Sequence, residues 1–161
     1  MSHALLVIDV QNYFLKDAPE DLPQRIVNSY ESVKYDHIVF TSFKNTPDSN
    51  FVKSLKWDKC DTDDDARLAK EFSELAINDN TFVRACYSAF KTTDLHSYLQ
   101  KLEVERLIIC GVDTDACVLA TAFEAFDLGY HVKIDFNLTF SSNELDSATQ
   151  HIAKSNIFSR D

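Results

Sequence analysis

Short, nearly continuous apolar runs alternate along this chain with longer segments in which apolar residues recur three and four positions apart. The runs are Ala4 to Asp9 (ALLVID), His37 to Phe43 (HIVFTSF), Thr81 to Arg84 (TFVR), Leu107 to Gly111 (LIICG) and His131 to Asp135 (HVKID), and each reads as a strand. The periodic segments predict helices over Leu22 to Tyr35, Ala66 to Ala76, Thr93 to Leu102, Thr114 to Leu128 and Asn143 to Lys154. A sixth short strand is expected near Asn156 to Phe158. Strands that are apolar almost throughout belong to a sheet covered on both faces. The alternation therefore predicts an α/β fold, a three-layer α-β-α arrangement around a mainly parallel sheet of five or six strands. No repeat, low-complexity tract or Pro/Ser-rich linker interrupts the pattern, so residues 1–161 are expected to form a single domain.

Glycine sharpens the picture. The chain has only 2 glycines, where average usage would give about eleven. Gly111 ends the run LIICG and Gly129 follows TDACVLATAFEAFDL, so both bracket one strand-turn-helix unit. A sharp turn is expected at the first and a left-handed C-terminal cap at the second.

Charge and cysteine usage exclude several roles. With 16 Lys and Arg against 26 Asp and Glu the formal net charge is -10, and no basic face is available for a phosphate backbone, so no nucleic-acid partner is expected. The acidic run Asp61, Asp63, Asp64, Asp65 lacks the Gly and closing Glu of a calcium loop and reads as a solvated loop. The longest apolar runs are far short of the roughly 20 residues of a membrane span, so no membrane association is expected. A chain of this length buries about 70% of its unfolded surface and needs no disulfide framework. Cys60, Cys86, Cys110 and Cys117 form no C-x-x-C pair, no basic-then-apolar leader opens the chain, and the five histidines (His3, His37, His96, His131, His151) lack metal-ligand spacing. The expected setting is cytoplasmic and reducing.

In an open parallel sheet, ligands bind beyond the carboxyl ends of the strands, where strand order reverses. That rule selects Asp9 after the first strand, Arg84 at the end of the third, and Cys117 one helical turn beyond the fourth. Asp9 is either a cap for loop amides or an acid-base group. Cys117 is either a small buried hydrophobe or, with Thr114 as N-cap, a thiol near the positive end of a helix. Asp113 and Asp115 oppose a thiolate there, which leaves the direction of its pKa shift open. Cys86 lies near Arg84 in a turn, Cys110 reads as core, and Cys60 reads as a surface or loop thiol. Gln11, where an aspartyl-phosphate phosphatase would carry a second Asp, excludes that chemistry. Lys44 and Asn45, following Phe43, exclude a phosphate-receiving domain.

Three blocks, ALLVIDVQNYF, VRACYSAFKTTDL and IICGVDTDACVLATAFEAFDLGYHVKIDF, together resemble the isochorismatase-like cysteine hydrolases, a family that includes nicotinamidases and N-carbamoylsarcosine amidase. The resemblance implies a Rossmann-like topology and a catalytic triad of Asp9, Arg84 and Cys117, with arginine in place of the usual lysine. It implies a cis peptide between Val112 and Asp113 and an oxyanion hole from the N–H groups of Ala116 and Cys117. Phe14, Phe43, Tyr87 and Phe90 flank the three blocks and are either walls of an aromatic pocket or core; the expected substrate contacts are Gln11, Phe14, Phe43, Tyr87 and Asp113. The nicotinamidase branch binds a metal after strand two, but FTSFKNTPDSNFVKSLKW contains no histidine, so neither metal nor cofactor is expected. Retention of Cys117 favours cleavage of a C–N bond in a small molecule through a thioester. The alternative, prompted by Arg84, is a member that binds a small molecule or partner without turnover. The helix from Thr114 to Leu128, apolar on most sides, suggests a homo-oligomer.

Overall fold

The computed structural model describes residues 1–160. Its centre is a five-stranded sheet of β1 (Ser2–Ile8), β2 (His37–Phe43), β3 (Thr81–Arg84), β4 (Val104–Val112) and β5 (His131–Phe140). All pairings are parallel, in the order β3-β2-β1-β4-β5. Helices α1 (Asn12–Leu15), α2 (Leu22–Val33), α3 (Asn50–Lys53), α4 (Asp63–Ala66), α5 (Leu95–Lys101), α6 (Leu119–Asp127) and α7 (Asp146–Asn156) connect and flank the strands.

The period-2 geometry of β1 divides its apolar side chains between the two faces. Ala4, Leu6 and Ile8 join Leu95, Leu99, Ala122, Ala125 and Ala153 on one side, while Leu5 and Val7 join Leu22, Ile26 and Phe72 on the other. Both faces are thus dry, which accounts for the unbroken hydrophobicity of the strand sequences. Each fully buried Leu, Ile or Phe adds about 1.5–3 kcal/mol. No helix among the described residues is long and apolar enough to cross a membrane.

Several boundaries differ from the sequence reading. Strands β4 and β5 are longer than their apolar runs because pairing with neighbours extends order into polar residues. The expected helix over Ala66 to Ala76 is instead the single turn of α4 followed by a 3-10 turn at Lys70–Phe72. The acidic run is not a loop throughout: Thr62 and Asp65 form a capping box, and Asp63, Asp64 and Asp65 occupy the first turn of α4, where the helix dipole favours carboxylates. The sixth strand reduces to one bridge, Val132 with Phe158, because α7 continues through Asn156. Gly129 has φ 101° and closes α6 as a Schellman cap, its N–H donating to Phe126 O and that of Tyr130 to Ala125 O.

Candidate active site

Strand order reverses between β1 and β4, so the crevice beyond their carboxyl ends is where a ligand would sit. Asp9 follows β1 with φ 53°, a left-handed conformation that Asp tolerates better than most residues. Gly111 is required on the other side: it has φ 116°, and a Cβ there would lie 2.1 Å from the carbonyl oxygen of Ile8. Only a glycine lets β4 approach β1 this closely at the point where the chain turns into the site. The Val112–Asp113 peptide is cis.

Beyond it the chain makes a π-helical turn, Thr114–Val118, before α6 begins at Leu119. This corrects the single helix expected from Thr114. Asp113, not Thr114, stands at the cap position, and its carbonyl accepts from both Ala116 N–H at 3.1 Å and Val118 N–H at 3.2 Å. Thr114 donates its hydroxyl to Asp146 instead. Hydrophobic periodicity does not reveal an i to i−5 bond, so the wide turn had no sequence signal.

The three candidate catalytic residues converge. β3 is separated from β1 by β2, a distance of about 9.5 Å across two strand spacings, and the long Arg84 side chain spans it. Its Nη1 donates to Asp9 Oδ1 at 2.6 Å and its Nη2 to Asp9 Oδ2 at 3.1 Å. The remaining donors go to backbone carbonyls: Nη1 to Ser42 at 3.2 Å, Nη2 to Tyr87 at 2.8 Å and Nε to Ser88 at 3.4 Å. Both side chains of the pair are fully excluded from solvent. Thr41 completes the shell, donating its hydroxyl to Asp9 Oδ1 at 2.9 Å. The guanidinium also lies 5.8 Å from the centre of the Phe43 ring.

Cys117 is 8% exposed, and Asp9 and Arg84 both act on its thiol. Burial pushes its pKa well above the ordinary thiol range, the Asp9 carboxylate pushes it further, and Arg84 offsets only part of this. The sulfur is therefore a neutral thiol at neutral pH. Arg84 is held charged: burial acts against its protonation, but the Asp9 carboxylate beside it raises the pKa. Asp113 and Asp115, set against a thiolate by their sequence proximity, turn to the segment 141–143. Asp113 accepts from Ser142 N–H and Oγ, and Asp115 from Ser141 Oγ and Asn143 Nδ2. Burial raises the Asp113 pKa despite the Ser142 bonds.

Cys117, Ala116, Val112 and Asp113 form one side of a cavity of about 210 Å3 whose other walls are Phe14, Phe43, Phe51, Leu55, Trp57 and Tyr87. Phe14, Phe43, Tyr87 and Asp113, expected as substrate contacts, all line this cavity. Gln11 does not, and this is a correction. It is fully buried, its Nε2 donating to Phe43 O and Asp65 O and its Oε1 accepting from Phe43 N–H and Ser42 Oγ, so it ties β1 to β2 and α4 rather than facing the cavity. Ala116 N–H, expected in an oxyanion hole, is directed to Asp113 O. Cys60, read as a surface or loop thiol, lies in the loop before α4 but not at the surface: it is 1% exposed, packed near Gln11 and Phe43 O, and burial pushes its pKa up to about 12, with Asp65 adding to the rise.

Sequence reasoning missed Phe51, Leu55, Trp57, Thr41 and Asp146. The signal for Thr41 was present, a hydroxyl within a strand otherwise buried on both faces. Trp57 is the only tryptophan of the chain. Asp146 accepts from Thr114 Oγ1, Thr139 Oγ1 and Ser141 N–H and so anchors the π turn from α7. The segment after β2 does not fit a metal: Asn45 is wholly engaged with Thr46, Ser49, Trp57 and Lys59. The described residues contain no cluster of three His, Cys, Asp or Glu side chains able to hold one.

Comparison with known proteins identifies the family and the fold. Residues 3–156 match the model of the isochorismatase domain. Nicotinamidase 3 of Arabidopsis thaliana is 29% identical over 150 residues, covering 88% of this chain and 74% of the relative. A probable inactive nicotinamidase of the same plant is 38% identical over 80 residues, 50% of this chain and 38% of that protein. The fold is shared with an isochorismatase-like hydrolase from Alkaliphilus metalliredigens, at a TM-score of 0.83 and 22% identity over 98% of this chain and 93% of the other. It is shared also with N-carbamoylsarcosine amidase from Thermoplasma acidophilum, at 0.76 and 19% over 96% and 92%. On the extent of the domain match, this chain belongs to the isochorismatase domain family.

Proposed function

We propose that the protein is a cysteine hydrolase that cleaves a C–N bond of a small amide-type molecule through a thioester. The observation that carries this reading is the burial of Asp9, Arg84 and Cys117 in mutual contact beside an aromatic-walled cavity. Because the thiol rests neutral, proton transfer and attack belong to one step: Asp9 takes the Sγ proton as sulfur bonds to the carbonyl carbon. The Cys117 N–H faces the developing oxyanion. Protonated Asp9 returns the proton to the departing nitrogen, the C–N bond breaks, and the amine leaves a thioester. Asp9 then takes a proton from water, whose oxygen attacks the thioester carbonyl; the C–S bond breaks, the acid is released, and Asp9 passes that proton to the departing Cys117 sulfur, restoring the starting carboxylate and thiol. Arg84 remains protonated throughout and holds the carboxylate in place. Cys117→Ala is expected to abolish turnover and the acyl adduct seen by intact-mass spectrometry during hydrolysis of a panel of small amides; wild-type rates in that variant would refute the mechanism.

A second reading has its own support. The bidentate bonds of Arg84 engage both oxygens of Asp9, the atoms that would take the thiol proton, and one relative is named probably inactive. On this reading the protein binds a small molecule without turnover. Arg84→Lys separates the two by sign. The hydrolase reading expects a fall in activity, because three ammonium donors replace a fully used fork; the binding reading expects hydrolysis to appear. A reducing cytoplasmic setting suits the free cysteines, and the exposed Phe123 and Phe126 on α6 support self-association.

A further inference from the structure

The cavity over Cys117 is the inner one of a pair. A second, of about 750 Å3, adjoins it, and the two share Phe51, Leu55 and Tyr87 as walls. Enclosing sites for drug-sized ligands run to about 300–1,000 Å3. The inner volume of about 210 Å3 falls below that range and suffices for a reacting carbonyl with a small group attached, whereas the outer volume lies within it. The shared wall is itself exposed, Leu55 at 59% and Tyr87 at 46%, so it offers apolar surface to whatever lies across it. The rest of the outer cavity is built mainly from small side chains such as Ser49, Ser54 and Cys86, with Asp48 and Lys91 contributing one charge of each sign. Neither of those charges makes a salt bridge among the described residues, and together they favour no net charge in an occupant.

We infer that the substrate is a two-part molecule, a carbonyl head seated in the inner cavity and an uncharged apolar extension lying across Leu55 and Tyr87 into the outer one. It belongs to the class of chain-extended or N-substituted amides rather than the smallest primary amides. The inference deepens the hydrolase reading and rests on it for the placement of the head at Cys117. The extension gains affinity by burying apolar surface that the free protein exposes. Burial of as few as two methylene groups corresponds to a gain of about tenfold.

The test compares iodoacetamide with N-hexyl iodoacetamide at equal low concentration, with the adduct at Cys117 located by peptide mapping and denatured protein giving the intrinsic reactivity ratio. In the native protein the hexyl reagent is expected to label Cys117 faster by about tenfold after that correction, and Ser54→Trp, which fills the outer cavity from an exposed position, is expected to bring the ratio back toward one. A corrected ratio of one in the native protein overturns the inference and leaves the hydrolase reading standing. A raised ratio that Ser54→Trp does not move overturns the placement of the extension. Failure of both reagents to label native Cys117 overturns the accessible-nucleophile reading, and the inference falls with it.

Discussion

Asp9 acts on Cys117 in two opposing ways, and Asp9→Asn separates them. In the proposed mechanism the carboxylate is the base that removes the thiol proton during attack; as a fixed negative charge, it suppresses the thiolate at rest by adding to the effect of burial, while Arg84 works against both. Replacing the carboxylate by an amide of the same shape removes the base and leaves Arg84 as the only charge in contact with the sulfur. An opposite charge at contact distance lowers a pKa by about one to three units. Each unit multiplies the thiolate fraction by about ten but lowers its intrinsic nucleophilicity, so the net gain in alkylation is about threefold per unit. The variant is therefore expected to react with iodoacetamide at Cys117 about 3- to 30-fold faster near neutral pH, while hydrolysis falls by about a hundredfold or more. The assay is the pH dependence of labelling from about pH 7 to about pH 9. The native rate should climb through this interval without levelling, because the thiol titrates well above its ordinary 9.0, and the variant curve should lie above it. Loss of the buried pair costs about 3–5 kcal/mol, so folding is verified by near-ultraviolet circular dichroism under the labelling conditions. If the folded variant labels no faster than native protein at any pH, Asp9 does not suppress the thiolate and the electrostatic account is wrong.

Other consequences are independent of turnover. Gly111→Ala drives a Cβ to 2.1 Å from Ile8 O and is expected to cost about 3 kcal/mol or more in urea unfolding, whereas Gly129→Ala, with nothing within 4 Å of its Cβ, should cost only the left-handed strain of about 1–2 kcal/mol; equal losses would contradict the close approach of β4 to β1. Cys60 titrates at about 12 when folded against an ordinary 9.0, so the unfolded chain releases this proton first, and stability is complete below about pH 8 and falls as pH rises through 9. Burial raises the Cys110 and Cys117 thiols in the same direction, so Cys60→Ala should lessen that alkaline decline in a series of melts, and an unchanged slope would show that Cys60 does not contribute to it. Asp146→Ala removes the acceptor of three bonds; each donor left unsatisfied costs about 1–3 kcal/mol, and both the melting temperature and turnover should fall.

The sheet was legible because its strands are apolar on both faces, and the same property located the crevice: once the strand ends at Asp9, Arg84 and Gly111 are known, the switch-point rule brings the functional groups together without any side-chain coordinates. Residues whose roles depend on the loop after β2 were not legible. Phe51, Leu55 and Trp57 reach the cavity through a segment with one turn of helix and no periodicity. Gln11 was misread for a related reason. Its neighbour Asp9 faces the site, but the turn between them carries the amide back toward β2, and nothing in a polar side chain's identity tells whether its partner is a substrate or a strand. The thiol's resting state depended on burial, which outweighs the charges that sequence proximity suggested.

Arg84 is the residue on which sequence and structure weigh most differently. Compared with a lysine, arginine loses the ability to exchange a proton, and on that ground alone it looks like damage to a catalytic triad. The structure shows a position shaped for a guanidinium: each of its donors has an acceptor, two oxygens from Asp9 and three backbone carbonyls drawn from β2 and from the turn after β3. A buried carbonyl left without a donor costs about 1–3 kcal/mol, so a turn that directs two of them, Tyr87 O and Ser88 O, at the guanidinium is held in place by a branched cation. That turn carries Tyr87 and Cys86 to the wall of the outer cavity, which makes the shape of the cleft depend on the same fork that steadies Asp9. On the hydrolase reading a lysine here would fall short on two observables: turnover of any amide, through a less steadily held Asp9, and discrimination between short and extended amides, through carbonyls of the turn left without donors.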